Sequence, residues 1–272
     1  MTVSTMIPDV PAANIVGMVV SLVIAVGLPI ALCIIVWRKT KARISSFFIG
    51  AATFVLFALI LEQILHVVVL TATGTALTGN IWLYALYGGL AAGVFEETGR
   101  YLAMKLCMRK NLNKQNAIMY GVGHGGIEAM LLVGMACISN LVIAVMINSG
   151  QVPALLEMSG VDGSTYVLAV SQMTAVSTTP AWQFYMAGLE RIAAIIFHIS
   201  ASYLVYLAVK EKKLPYYLLA VLLHFLLDAM VLIIANYLSI LAVEGITLLF
   251  SCILGGVVWK MYHSGARNGA AA

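Results

Sequence analysis

Long apolar segments alternate with short basic segments along almost the whole chain. Most apolar segments contain at least the roughly 20 residues that an α-helix needs to cross the hydrocarbon core of a bilayer. The sequence therefore predicts an all-α fold, a polytopic membrane helix bundle. We predict about seven transmembrane helices, at about residues 12–37, 44–71, 81–105, 115–148, 181–209, 214–236 and 239–260.

Lysine and arginine cluster after every second predicted helix. The clusters are Arg38, Lys39, Lys41 and Arg43; Lys105, Arg109, Lys110 and Lys114; Lys210, Lys212 and Lys213; and Lys260 and Arg267. Because cytoplasmic loops carry the excess of basic residues, we predict that the N-terminus is outside and the C-terminus cytoplasmic. The protein is expected in the cell membrane as a multi-pass integral protein, in contact with the lipid bilayer.

Composition supports a membrane protein and excludes other classes. Hydrophobic residues make up 62% of the chain and charged residues only 10%, which is typical of an integral membrane protein. The net charge of +4 comes from basic clusters that the topology explains, so no nucleic-acid partner is indicated. We interpret residues 1–272 as a single membrane domain. Its one long connection, about 149–180, is predicted to lie outside and is a candidate lid.

Two arginines, Arg100 and Arg191, lie inside predicted helices rather than in the basic clusters. A charge at membrane depth must be paired or face a polar interior, so such residues indicate a functional site. Other ionisable residues inside predicted helices include Glu62, His66, Glu96, Glu97, His124, Glu128, Glu190, His198, His224 and Asp228. We expect a structural role for Glu62 and His66, with Arg191 paired to Glu62.

Four of these groups are predicted to share one depth in the membrane. At about 1.5 Å per residue they lie about 12–18 Å from the nearest basic residue of a cluster. The four are Glu97, His124, His198 and His224, each on a different helix. The sequence thus predicts one buried layer that contains a carboxylate and three imidazoles.

Helical spacing also places ionisable groups side by side within single helices. Residues three or four positions apart share one face of a helix. This spacing joins Arg100 to Glu96 and Glu97, His124 to Glu128, and His224 to Asp228. A carboxylate in such a pair can orient an imidazole or fix its tautomer.

Two kinds of hydrolytic chemistry suit this layer. A buried glutamate can act as a general base toward water, while an imidazole with a polar partner stabilises a tetrahedral oxyanion. Peptide hydrolysis inside the membrane is therefore favoured. A zinc site formed by His124, His198, His224 and Glu97 is the alternative, although the sequence contains no HExxH motif. A proton-coupled transporter or a membrane scaffold also stays open.

Four motifs add a family resemblance, in the order EETGR, GVGHGGIEA, ERIAAIIFH and HFLLDA. Together they resemble the YhfC family of intramembrane proteases, in the wider group of type II CAAX prenyl proteases, PrsW and the APH subunit of gamma-secretase. The resemblance spans about residues 80–236. It implies a glutamate-dependent endopeptidase, with no cofactor, that acts on a membrane-embedded or membrane-associated peptide or protein.

The same resemblance implies roles for individual residues. Glu96 is similar to the glutamate that activates water, and Glu97 and Arg100 shape its motif. His198 and His224 resemble the two later histidines of the group, and Asp228 with His224 occupies the oxyanion position.

The sequence also departs from the wider group. The prenyl proteases have Glu-Glu-x-x-x-Arg, one residue longer than Glu96 to Arg100, and a histidine where Glu128 falls. Whether His124 or His198 assists the base is therefore open. Asp228 replaces the usual asparagine and would donate a hydrogen bond only when protonated. The YhfC name also carries a metalloprotease label, which keeps the zinc mechanism open.

Overall fold

Most of the described chain is helical. The computed structural model describes residues 7–158 and 163–268, and this part of the chain contains no strand. The helices are α1 (Ala12–Thr40), α2 (Ile44–Thr73), α3 (Ile81–Leu102), α4 (Lys114–Asn148), α5 (Val152–Met158), α6 (Gly163–Thr178), α7 (Ala181–Lys210), α8 (Leu214–Ile234) and α9 (Ile240–Asn268), with a single turn at Thr75–Thr78. Short π-helical segments lie within α1, α2 and α4 and directly after α3, at Val23–Gly27, Val55–Glu62, Met130–Gly134 and Ala103–Cys107.

Six helices of the described chain are long and apolar enough to cross a membrane: α1, α2, α4, α7, α8 and α9. The remaining predicted segment, residues 81–105, is also helical, and the ionisable side chains of α3 reduce its hydropathy. The prediction of an all-α, multi-pass membrane protein is confirmed. The orientation of the chain in the membrane stays a prediction.

The connection between α4 and α7 has helical structure of its own. Within the described part of the predicted external loop, α5 and α6 account for most residues. The propensity of this Ser/Thr-rich stretch did not predict helices, because such residues compete with the backbone for hydrogen bonds. The role of this connection as a lid stays a prediction.

The chain divides into two compact units, and the single-domain interpretation stays a prediction. Unit 1 comprises Met1–Gly27 and Met130–Arg191, and unit 2 comprises Leu28–Ala129 and Ile192–Ala272. In unit 1, the side chain of Asn14 donates to the carbonyl oxygens of Val176 and Thr179, at 3.1 and 2.9 Å. These two bonds attach the first helix to the end of α6.

Glycines let the helices of unit 2 approach each other closely. A Cβ on Gly93 of α3 would lie 2.8 Å from the carbonyl oxygen of Val221 on α8. A Cβ on Gly123 of α4 would lie 2.0 Å from the carbonyl oxygen of Phe47 on α2. Both neighbours are backbone atoms that cannot rotate away, so these contacts depend on the absence of a side chain.

We expect Gly123→Ala to destabilise the protein by about 1–3 kcal/mol, because the added methyl group forces α4 away from α2. Thermal unfolding in detergent, followed by circular dichroism, measures the change. Gly256→Ala is the matched control, since a Cβ at that helical position meets nothing within 4 Å. Equal melting temperatures for the two variants would contradict the close contact.

Candidate active site

All eight predicted site residues belong to unit 2, and they form one connected cluster. Helix α3 supplies Glu96, Glu97 and Arg100; α4 supplies His124 and Glu128; α7 supplies His198; and α8 supplies His224 and Asp228. Glycines permit this convergence: a Cβ on Gly125 would lie 3.1 Å from the Cβ of His198.

Arg100 and Glu97 form a fully buried ion pair. The guanidinium Nε donates to Glu97 Oε2 at 2.9 Å, and Nη2 donates to Oε1 at 3.2 Å. Neither side chain is exposed to solvent. Two parallel hydrogen bonds fix both orientation and charge, so Glu97 serves as an ionised anchor within α3.

Arg100 also holds His198 on α7. Its Nη1 donates to the carbonyl oxygen of His198 at 3.1 Å and to Ser202 Oγ at 2.5 Å. Ser202 Oγ in turn donates to the same carbonyl oxygen at 2.6 Å. Ser202 was not among the predicted site residues, although its position four residues after His198 places it on the same helical face.

The bond between Arg100 and the ring of His198 fixes the tautomer of that ring. Nη2 lies 3.0 Å from His198 Nδ1, and a guanidinium can only donate. Nδ1 must therefore be the acceptor, and a neutral ring carries its proton on Nε2. That Nε2 faces Glu128 Oε2 at 2.5 Å. His198 is thus held as a donor toward Glu128.

His224 has the opposite arrangement of its two nitrogens. Its Nδ1 lies 2.9 Å from Glu97 Oε1, and an ionised Glu97 can only accept, so Nδ1 carries a proton. Its Nε2 faces two carboxylates, at 3.9 Å from Glu96 Oε1 and 3.6 Å from Asp228 Oδ2. Glu97 therefore orients the ring and directs Nε2 toward Glu96.

Glu96 lies between imidazoles from two different helices. Its Oε2 is 2.8 Å from Nε2 of the fully buried His124, while Oε1 faces His224. The ring centroids of His124 and His198 are 4.9 Å apart, and those of His198 and His224 are 5.5 Å apart. The three imidazoles predicted to share one layer do lie together around Glu96.

Three residues of this cluster are also placed to hold a metal ion. Glu96, His124 and His198 each offer a ligand atom, and these atoms lie within 4.8 Å of one another. This set differs from the predicted zinc set, which took its carboxylate from Glu97 and also included His224. Both oxygens of Glu97 are bonded to Arg100, and one also contacts His224. Glu96 is therefore better placed than Glu97 to bind a metal ion.

The remaining intramembrane groups form separate contacts. His66 lies between Glu62 Oε1, at 3.2 Å, and the hydroxyl of Tyr87, at 2.7 Å, which agrees with a structural role. Arg191 contacts the side chain of Glu190 in unit 1. The pairing of Arg191 with Glu62 stays a prediction.

A buried carboxylate, imidazole and guanidinium cluster in a helical membrane protein is the arrangement expected of an intramembrane hydrolase. Comparison with known proteins specifies the family. Residues 22–248 match the family described as YhfC intramembrane metalloprotease. The chain is 40% identical over 208 residues to "Uncharacterized membrane protein YhfC" of Bacillus subtilis (strain 168), covering 75% of this chain and 79% of that protein. No solved structure matches the chain.

The chain belongs to the YhfC family, and the resemblance seen in the four motifs is confirmed. The family description supports an intramembrane protease in general terms. It does not support the expectation of a site without a cofactor, because it names a metalloprotease and three described residues offer a metal site.

Proposed function

We propose that this protein is an intramembrane endopeptidase that uses Glu96 as the general base toward water. Its substrate is a peptide bond of a membrane-embedded or membrane-associated protein. The observation that carries the proposal is the position of the Glu96 carboxylate between His124 and His224, each fixed by neighbouring helices. Such an arrangement holds a base and a candidate oxyanion donor on two sides of one reaction centre.

In the proposed reaction, Glu96 accepts a proton from water as the water oxygen bonds to the carbonyl carbon of the substrate. The resulting tetrahedral intermediate collapses when the C–N bond breaks, and Glu96 returns the proton to the leaving amine. His124 holds Oε2 of Glu96, which leaves Oε1 toward the reacting water. His124, rather than His198, is therefore the imidazole that positions the base.

His224 is the proposed donor to the developing oxyanion. Its Nδ1 proton is already directed at Glu97, and its Nε2 lies among Glu96 and Asp228. When Nε2 also carries a proton, it donates to the oxyanion, and Asp228 and Glu96 lie beside it. Asp228 contributes by orienting His224, so Asp228 need not itself be the donor.

A zinc-dependent reaction is the second candidate, favoured by the mutual spacing of Glu96, His124 and His198. Two imidazoles and a carboxylate are a donor set that zinc uses, and His124 Nδ1 is buried with no hydrogen-bond partner among the described residues. A bound zinc ion would supply Lewis acidity and an activated water. The hydrogen bonds of His198 argue against a zinc site. Its Nδ1 accepts from the Arg100 guanidinium, so its Nε2 carries a proton, and neither nitrogen is then free to bind zinc.

The test is cleavage of membrane-anchored peptides by purified protein in lipid nanodiscs, with products identified by mass spectrometry. We expect defined cleavage that persists in a zinc chelator, and no stoichiometric zinc by elemental analysis. Loss of cleavage on chelation, with recovery on adding zinc back, would establish the metal mechanism instead. No cleavage of any peptide by a correctly folded protein would contradict peptidase activity and favour a scaffold or transporter.

A further inference from the structure

A cavity in unit 2 is separate from the eight residues of the candidate active site. It lies between α1, α4, α7 and α9, has a volume of about 530 Å³, and is lined by none of those eight residues. Ligand cavities in proteins span about 300–1,000 Å³, so this one can hold an extended apolar chain. Its wall is mainly apolar and includes Ile35, Ile118, Ile196 and Val258.

Most of the polar residues that line this cavity, Ser200 excepted, lie near the ends of their helices. Lys39 is in the last turn of α1, Gln115 in the first turn of α4, and His263 toward the end of α9. None of the described residues that line the cavity is acidic. The cavity thus combines an apolar wall with a rim that carries a cation and hydrogen-bond donors.

Aromatic side chains lie beside this rim. The Trp259 ring packs against His263 with centroids 4.3 Å apart, and His263 Nδ1 bonds to the carbonyl oxygen of Trp259 at 2.9 Å. Lys114 lies over the Tyr262 ring, 4.4 Å from its centroid. Tryptophan, tyrosine and lysine together are typical of the membrane interface, where lipid headgroups lie.

We propose that this cavity binds one anionic phospholipid, with an acyl chain along the apolar wall and the phosphate at Lys39 and Gln115. Basic pockets between transmembrane helices bind anionic headgroups, because a lysine near the membrane surface attracts negative charge. A zwitterionic lipid has no net charge to balance Lys39 on a rim without acids. The positive charge of the rim therefore favours anionic phospholipids over zwitterionic ones.

Gly255 gives access to the apolar part of the cavity. A Cβ at this position would lie 3.0 Å from Ile196 Cγ2 and 3.8 Å from Ser200 Oγ, and both of those residues line the cavity. A leucine at 255 would occupy the space of the acyl chain. The adjacent Gly256 lines no part of it, and a Cβ there meets nothing within 4 Å.

The experiment is native mass spectrometry of the full-length protein titrated with phosphatidylglycerol and, separately, phosphatidylethanolamine of the same acyl chains. We expect saturable binding of one phosphatidylglycerol and weaker binding of phosphatidylethanolamine. Lys39→Gln should weaken phosphatidylglycerol binding by about fivefold, and Gly255→Leu should abolish the saturable site. Lys210→Gln and Gly256→Leu are the matched controls and should bind as the wild type does.

Equal affinity for the two lipids would overturn the proposal, since it would indicate a general lipid coat. An equal loss in Lys39→Gln and Lys210→Gln would also overturn it. If Gly255→Leu does not give monodisperse protein, the comparison of the two lysine variants decides. The readout is lipid binding, so it does not depend on peptidase activity.

Discussion

Replacing Glu96 with glutamine is expected to reduce the rate of peptide cleavage by about 10²–10⁴-fold while leaving the fold intact. The amide has nearly the shape of the carboxylate and can still bond to His124. It cannot accept a proton from water, which is the step assigned to Glu96. Cleavage rates measured by product mass spectrometry, with melting temperature as the check on folding, test this expectation.

Glu62→Gln is the matched control for Glu96→Gln. Glu62 is also a buried glutamate in unit 2 and also contacts a histidine, His66, which is not one of the eight site residues. We expect this control to cleave at close to the wild-type rate. Wild-type activity in Glu96→Gln would contradict its role as base. Because Glu96 also belongs to the possible metal set, zinc content is measured in both variants to separate the two mechanisms.

The fold could be predicted from the sequence because the bilayer sets the length of each helix. The predicted segment 214–236, for example, is observed as Leu214–Ile234, and the predicted segment 44–71 as Ile44–Thr73. Apolar length carries no information on local hydrogen-bond patterns. The π-helical segment Val55–Glu62 and the helices α5 and α6 were therefore not predicted.

The clustering of the candidate residues could also be predicted, but most of the contacts between different helices could not. The pair of Glu97 and Arg100 follows from spacing within one helix, and the structure contains it. The predicted depth in the membrane places His124 and His198 at one level, but it does not predict which of the two contacts Glu96. That choice depends on the rotation of each helix about its axis, which is set by close contacts such as that of Gly125 with His198.

Arg100 is expected to contribute to both the stability of the protein and the arrangement of the site. The sequence alone predicts that Arg100 pairs with Glu96 and Glu97. In the structure it is fully buried and bonds to Glu97, the His198 ring, the His198 carbonyl and Ser202. Removal of its charge leaves Glu97 away from water with the Nδ1–H of His224 but without its guanidinium partner. Breaking such a pair on one side destabilises a protein by about 3–5 kcal/mol.

We therefore expect Arg100→Gln to lower the melting temperature strongly, whereas the double variant Glu97→Gln with Arg100→Gln regains most of the lost stability. The double variant has no unpaired buried charge, and two amides can bond to each other. It should still cleave poorly, because His224 loses the carboxylate that orients it and His198 loses the donor that fixes its tautomer. Melting temperature and cleavage rate, measured on both variants, separate these two effects.

Arg38→Gln, at an exposed site in the last turn of α1, is the control for the loss of one arginine and should change neither quantity. If the double variant were as unstable as Arg100→Gln, the cost would lie in the contacts of Arg100 with α7 rather than in the charge of Glu97. If it regained both stability and activity, neither charge would be needed to orient His224. The restoration of folding without cleavage is the outcome that the hydrogen bonds of Arg100 require, because the same guanidinium neutralises one glutamate and sets the proton position on His198.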